Sequence, residues 1–123
     1  MNSLSTTILG TWQSDGEMTL TELRRHLRPD HPKLQQLALP ERLLPLTIQY
    51  TPENLFYTYR GKPANCRWWI LGCDDYSIIT KVEPTWLNQQ PLWHLHFLSE
   101  NQYFVTVDLD WGFLYREFFT RID

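Results

Sequence analysis

The sequence predicts a mainly β protein, an eight-stranded antiparallel up-and-down β-barrel with a short helical pair between the first two strands. From Pro45 onward, apolar and polar residues alternate with the period of two that marks half-buried strands. Turn-forming residues separate these runs at close intervals, and closure removes the exposed edges that an open sheet would carry. The 123 residues contain no linker or repeat, so we expect one domain over 1–123. A two-sheet sandwich is the alternative architecture.

A first strand and the start of a helix precede the alternating region. Ile8–Gln13 is typical of a short strand, and the turn-forming residues 14–16 end it. Thr19 and Glu22 have the spacing of a capping box, in which each side chain satisfies a backbone donor of the other residue. This spacing predicts that the first helix begins at Thr19.

The helical pair extends over Thr19–Leu39 and contains two amphipathic helices of about two turns each. Asp30 can cap the second helix, with Pro32 tolerated in its first turn. Pro29 and Pro40 end the two helices. The apolar faces consist of Leu20, Leu23 and Leu27 in the first helix and Leu34, Leu37 and Ala38 in the second.

Seven further strands are predicted after Pro45, each bounded by turn residues such as Pro, Gly, Asn and Asp. They are Leu46–Thr51, Leu55–Tyr59, Asn65–Leu71, Tyr76–Val82, Leu92–Leu98, Tyr103–Asp108 and Phe113–Ile122.

Charge and composition exclude several classes of partner. The net charge of −3 gives no basic surplus for nucleic acid, and no apolar run approaches the length of a membrane span. The first seven residues lack the pattern of a secretory signal, so a cytoplasmic location is expected. Cys66 and Cys73 do not form a Cys-x-x-Cys pair and are interpreted as free packing thiols.

Aromatic residues make up 15% of the chain and must fill a core, a pocket or an interface. An eight-stranded barrel is just wide enough to be filled by side chains or to hold one small ligand. Buried tyrosine hydroxyls each need a partner, which favours a lined cavity over a dry core. Alternation predicts an inward set of Leu46, Ile48, Tyr50, Tyr57, Tyr59, Cys66, Trp68, Ile70, Trp93, Leu95, Phe97, Tyr103, Val105 and Val107.

Short motifs occur at both ends of the chain: Gly10 and Trp12 in the first strand, and the string Arg-Glu-Phe-Phe-Thr-Arg at 116–121. In these ends the chain resembles the calycin superfamily, which contains the lipocalins and fatty-acid-binding proteins. The whole pattern is similar to short bacterial lipocalin-like domains of uncharacterised function. The resemblance implies that Trp12 lies at the closed base of the barrel with Arg121 across it, as a cation over an indole face. It also accounts for the helical pair, because fatty-acid-binding proteins place a helix-turn-helix lid over one mouth, between their first two strands.

The last strand departs from one branch of this superfamily. Fatty-acid-binding proteins hold a carboxylate with an Arg-x-Tyr pair, and the comparable residues here are Arg116 and Phe118, which lacks the hydroxyl. An inward Arg116 would need an anionic partner such as a ligand headgroup, whereas an outward one would form a surface ion pair. Both faces of the strand carry apolar residues, so the sequence leaves its orientation open.

The resulting hypothesis is non-catalytic sequestration or transport of a small, largely hydrophobic ligand, with or without an anionic headgroup, by a monomer or homodimer. No cofactor or metal is expected, because His94 and His96 share one strand face without an apparent third ligand. The expected ligand-binding residues are Tyr50, Tyr57, Tyr59, Trp68, Trp93, Tyr103, Arg116 and Phe118.

Two other classes of function compete with this hypothesis. A filled barrel could present Trp69, Trp86 and Trp111 as a protein-binding face. An enzyme could use the acids Asp74-Asp75 or Asp108 with Asp110, although turns commonly contain Asp and no catalytic motif is present.

Overall fold

A computed structural model of the chain describes residues 3–38, 45–59, 61–83, 92–108 and 114–123. Its strands are β1 (Gly10–Ser14), β2 (Leu46–Tyr50), β3 (Asn54–Tyr59), β4 (Lys62–Cys73), β5 (Ser77–Glu83), β6 (Leu92–Ser99), β7 (Gln102–Asp108) and β8 (Leu114–Arg121). Each strand pairs antiparallel with the next, and β8 returns to β1 to close the barrel. The predicted eight-stranded up-and-down barrel is therefore confirmed.

The helices are α1 (Leu4–Thr7), α2 (Gly16–His26) and α3 (Pro32–Leu37). The pair formed by α2 and α3 lies between β1 and β2, as predicted. The short α1 was not predicted, and it shifts the start of the first strand from Ile8 to Gly10. None of the helices in the described ranges is long and apolar enough to cross a membrane.

The residues that cap α2 and α3 differ from those predicted. The Asp15 carboxylate accepts a hydrogen bond from the Met18 N–H at 3.0 Å, so α2 begins before the predicted start at Thr19. The cap of α3 is His31, whose Nδ1 accepts from the Lys33 N–H at 3.1 Å, instead of Asp30. In both helices a side chain accepts a hydrogen bond from a backbone N–H that has no partner within the helix. Several neighbouring polar residues could accept the same hydrogen bond equally well.

The α2 helix completes the barrel wall where β1 ends. The pairing of β1 with β8 ends at Ser14 and Phe119. One residue further along β8, the Phe118 N–H donates to the Thr19 hydroxyl at 3.1 Å instead of to a strand. The leucines of α2 and α3 form an apolar cluster that contacts Tyr115 of β8. The Thr19 hydroxyl therefore accepts a hydrogen bond from β8 and does not cap its own helix.

The two ends of the barrel differ in how they are filled. We call the end where β1 begins and β8 ends the base, and the opposite end the mouth. Accessible area on an inward side chain requires a neighbouring space at least as large as a water molecule. The largest side chains with less than 2% of their surface exposed are Trp12, Tyr103, Phe119, Ile8, Ile48, Leu55, Ile78, Leu95, Val82, Val107 and Thr80. Most of them lie in the base half, which is packed like a protein interior.

Candidate functional site

Four of the predicted ligand-binding residues are buried inside the barrel. Tyr50, Trp68, Trp93 and Tyr103 each have 6% or less of their surface exposed. The Trp68 Nε1–H donates to the Thr51 carbonyl at 2.7 Å, which satisfies its polar group. These side chains therefore form part of the packed interior.

The Tyr50 and Tyr103 hydroxyls form a polar pair in this interior, with 3.4 Å between the two oxygens. Burial raises the pKa of Tyr50, and a hydrogen bond from Tyr103 offsets part of this effect. Burial also raises the pKa of Tyr103 well above its usual value, and neighbouring Tyr50 and Glu117 add to the rise. Only one of the two hydroxyl protons is used within the pair, so the other can serve a further acceptor.

A second group of inward side chains is only partly buried, and these side chains lie toward the mouth. We call this group the mouth cluster; it consists of Tyr57, Tyr59, Ala64, Tyr115 and Glu117. Tyr57 and Ala64 are directly opposite each other on β3 and β4, and Tyr115 and Glu117 lie on β8. These inward residues keep accessible area toward the mouth, whereas Leu46, Val82 and Val107 at the same end of the barrel are buried.

Arg116 and Phe118 lie on the outer face of β8, so neither lines the interior. The Arg116 guanidinium carbon is 4.6 Å from the centre of the Phe104 ring, and its Nη1 is 3.7 Å from the Glu22 carboxylate. Phe118 is 3% exposed and its amide contacts Thr19 of α2. The expectation that Arg116 binds an anionic headgroup inside the barrel is therefore corrected: its partner is Glu22 on α2.

The inward face of β8 contains a residue that the sequence analysis did not select, Glu117. It lies opposite Val105 on β7, between the inward side chains of Tyr115 and Phe119. Desolvation among these side chains raises the pKa of Glu117 from its ordinary value of 4.5 to about 7. The sequence does contain a pattern that could have indicated Glu117, because it lies two positions from Tyr115 and two from Phe119. This pattern indicates a buried acid only when the strand is known to face inward at these positions.

The base is closed by Trp12 and Arg121. The Trp12 side chain is fully buried, and its Nε1–H donates to the Ile8 carbonyl at 2.9 Å. The Arg121 guanidinium carbon lies 4.4 Å from the centre of the Trp12 ring, the contact that the resemblance implied. Gly10 has a positive φ of 128°, and a Cβ there would lie 2.5 Å from Arg121 Nη1. Glycine is thus required where the guanidinium passes over the strand.

The remaining polar candidates lie on the outer surface or in turns. His94 and His96 have ring centres 3.9 Å apart, and His96 stacks on Phe104 at 4.9 Å. Burial, then His94 and Arg116, lower the pKa of His96. Within the described ranges, no group of three or more His, Cys, Asp or Glu side chains could hold a metal.

The acidic residues proposed for catalysis behave as turn residues where the structure describes them. The Asp74 carboxylate accepts hydrogen bonds from the Tyr76 and Ser77 amides at 2.8 and 2.7 Å. These hydrogen bonds lower the pKa of Asp74. The side chain of Asp108 and all of Asp110 lie outside the described residues. Asp74 therefore caps the β4–β5 turn.

Among the tryptophans of the predicted protein-binding face, the structure describes Trp69; Trp86 and Trp111 lie outside the described residues. Trp69 is 36% exposed, with the Arg67 guanidinium carbon 5.2 Å from its ring centre. Both cysteines are free; Cys66 is buried, as expected of a packing thiol, whereas Cys73 is exposed. Burial raises the pKa of the Cys66 thiol.

Two surface grooves are lined by residues other than those of the mouth cluster. One of about 330 Å³ lies beside α1 and is lined by Ser5, Leu9, Pro52, Trp68, Trp69 and Ile70. The other, of about 380 Å³, is lined by Gln13, Ser14, Asp15, Gly16, Glu17, Pro45, Thr120 and Ile122. Of the predicted ligand-binding residues, only Trp68 borders either of these grooves.

Comparison with known proteins finds no relative of this chain, because no protein-family model, curated protein or solved structure matches it.

Proposed function

We propose that this chain binds a small, largely apolar molecule at the mouth of its barrel and sequesters or transports it in the cytoplasm without catalysis. The barrel would act as a lipocalin-like domain related to the calycins. The observation that carries the proposal is the contrast between a packed base and a mouth cluster whose inward side chains keep accessible area.

The chemistry of the mouth cluster supports an apolar ligand. Three of its five members are tyrosines on inward positions, whose rings are largely apolar. Moving apolar ligand surface from water onto such rings contributes about 25 cal/mol per Å² of apolar surface removed from water. The apolar cluster of α2 and α3 reaches Tyr115, so the helical pair borders the same opening. The ligand would thus be enclosed between the strands and the helices.

The position of Arg116 argues against a ligand with an anionic headgroup. Its guanidinium contacts Phe104 and Glu22 on the outer surface, so it offers no charge to a headgroup inside the barrel. The one carboxyl on the inner faces of the described strand residues is Glu117, which would repel an anion. The anionic variant of the hypothesis therefore loses its support.

Filling the mouth should abolish binding. Ala64 faces the opening, whereas its neighbour Asn65 is exposed on the outer face of the same strand. We expect the uncharged dye N-phenyl-1-naphthylamine to bind the native protein saturably with one-to-one stoichiometry, detected by its fluorescence increase. The A64W variant should bind at least about tenfold more weakly, equivalent to a loss of about 1.4 kcal/mol. Thermal unfolding monitored by circular dichroism verifies that the variant is folded.

The matched control places the same tryptophan one residue along the strand. N65W adds equal bulk outside the barrel and should bind the dye like the native protein. Absence of saturable binding to the native protein, or equal binding by A64W and N65W, would overturn the proposal, because the dye would then bind elsewhere or not at all.

The second candidate function is a protein interface on the outer face of β4–β6. Trp69, Leu71, Ile79 and Leu92 are 36–57% exposed and lie on adjacent strands. Exposed apolar groups of this kind mark association sites. For a homodimer built on this face, light scattering should show a dimer that L71E with I79E dissociates without affecting dye binding. A monomer at all concentrations would exclude this homodimer.

A further inference from the structure

Glu117 is an isolated acid within the barrel wall. Among the inward positions of the described strands, it is the only carboxyl, and it lies between Tyr115 and Phe119. Its nearest charged neighbour in sequence, Arg116, points outward to Glu22. At the base, Arg121 contacts Asp123 and backbone carbonyls instead. Lys62 lies on the inward register opposite Tyr59, but it is exposed. Within the described ranges, no cationic side chain forms an ion pair with Glu117.

The environment of Glu117 penalises the ionised carboxylate. Desolvation is the cause of its raised pKa, about 7, and no hydrogen bond donated to this carboxyl occurs in the described part of the chain. An acid buried without a partner costs stability, and this cost is recovered when a donor or cation arrives. The mouth cluster keeps accessible area, so a ligand bound there would supply a partner for Glu117.

The surroundings of Glu117 also discriminate between types of partner. Tyr57, Tyr59 and Tyr115 are the aromatic members of the mouth cluster, and Tyr115 is two residues from Glu117 on β8. Aromatic faces attract cations through their quadrupole, and a carboxylate supplies the opposite charge. A carboxylate ligand would instead face like-charge repulsion in a site of low dielectric constant. The combination of rings and one acid matches an ammonium group.

We propose that the ligand of the mouth is an amphipathic amine, whose ammonium group pairs with Glu117 while its apolar body lies against the tyrosines of the mouth cluster. This inference rests on the proposed ligand-binding function and names the chemical class of the ligand. The amine would supply a charge that no described side chain supplies to Glu117 through an ion pair.

Three probes with the same alkyl chain separate this inference from the proposed function. Decylamine, decanol and decanoate, each below its micelle concentration, are titrated against the native protein, and tryptophan fluorescence reports binding. We expect decylamine to bind at least about tenfold more tightly than decanol, because hydrogen bonds to a charged group are stronger than neutral ones. Decanoate should bind more weakly than decanol.

The E117Q variant tests the assigned residue. In E117Q the ratio of decylamine affinity to decanol affinity should fall to about one, whatever the affinity for decanol itself. E117M, which has no amide that could form new contacts, should lose the preference in the same way. E83Q removes a carboxylate from an exposed outward position and should keep the preference. If none of the three probes binds, the proposed function fails. If decanol binds and decylamine shows no advantage that depends on Glu117, only the amine inference fails.

A pH series adds a readout that a merely structural role would not change. Besides Glu117, the titratable groups on the inward register of the described strands are the tyrosines, Cys66, Cys73, Lys62 and Arg121. On the outer side, α2 brings Glu22 and His26 to the region of Arg116, and His96 lies further along that surface. Decylamine affinity should rise from pH 5.5 to pH 8 as Glu117 ionises near pH 7, and decanol affinity should not. A decylamine affinity independent of pH, or an unchanged rise in E117Q, would overturn the assignment.

Discussion

The R121M variant should lose about 3–5 kcal/mol of unfolding free energy, because the part-buried carbonyls of Thr7 and Leu9 lose their donor, at about 1–3 kcal/mol each, together with the cation–π contact. Arg121 donates through Nη1 to the Leu9 carbonyl at 3.0 Å and through Nη2 to the Thr7 carbonyl. It also donates to the Glu100 carbonyl, at 3.4 Å from Nε and 3.3 Å from Nη2. Methionine keeps the apolar stem over Trp12 but supplies none of these donors. Guanidinium chloride unfolding measures the difference.

The control for this change is R67M on the outer surface. Arg67 also has its guanidinium over an indole ring, that of Trp69, but the residue is exposed. An exposed cation–π contact is worth about 0.5–1 kcal/mol, so R67M should have a small effect. R121K should lie between the native protein and R121M, because lysine lacks the planar fork of donors. Equal losses in R121M and R67M would show that the backbone hydrogen bonds at the base contribute little.

The E117Q variant should be more stable than the native protein at pH 8 and equally stable near pH 4. Glu117 has a raised pKa in the folded state, about 7 against an ordinary 4.5. As the pH rises from 4.5 to 7, the unfolded chain loses this proton while the folded chain keeps it, so the native protein loses stability. Above pH 7 the penalty is fully present. The expected gain from E117Q at pH 8 is on the order of 2–3 kcal/mol.

Unfolding by denaturant at both pH values measures this gain. E83Q removes an exposed carboxylate and should show little change at either pH. An E117Q effect that is the same at pH 4 and pH 8, or absent at both, would mean that the carboxyl is well solvated in the folded state. In that case the Glu117 carboxyl would have no desolvation penalty for an ammonium group to relieve, and the proposed preference for amines would lose its support.

The strands and the helical pair could be predicted because their signals are local. Alternation in Leu46–Tyr50 and Leu92–Ser99 reports which side chains are buried, and the structure has them on the predicted faces. Tight turns between consecutive strands then allow only antiparallel neighbours. Closure follows because an open sheet of this length would expose two unpaired edges.

The details of the helices could not be predicted in the same way. Asp15 and Thr19 are both good capping residues, and the sequence does not say which of them caps α2. Thr19 is used instead to accept from the Phe118 amide, a contact across 99 residues. Only the packing of α2 on β8 creates that demand.

The orientation of β8 shows the same limit and decides the site. Phe118 and Phe119 are both buried, one toward α2 and the other toward the barrel. A strand that is covered on both faces has no polar side. The alternation of apolar and polar residues therefore does not indicate which of its side chains face the barrel interior. The tertiary structure turns Arg116 outward to Glu22 and Glu117 inward to the aromatic interior.

By itself, the sequence determined the barrel class, the strand order and most of the inward set, because these follow from local alternation and short connections. Only the tertiary structure decided that the base is packed, that Tyr57 and Tyr115 keep accessible area toward the mouth, and that Glu117 is the inward carboxyl of the described strands. The physical reason is that burial on the second face of β8 comes from α2, an element about 100 residues away in the chain.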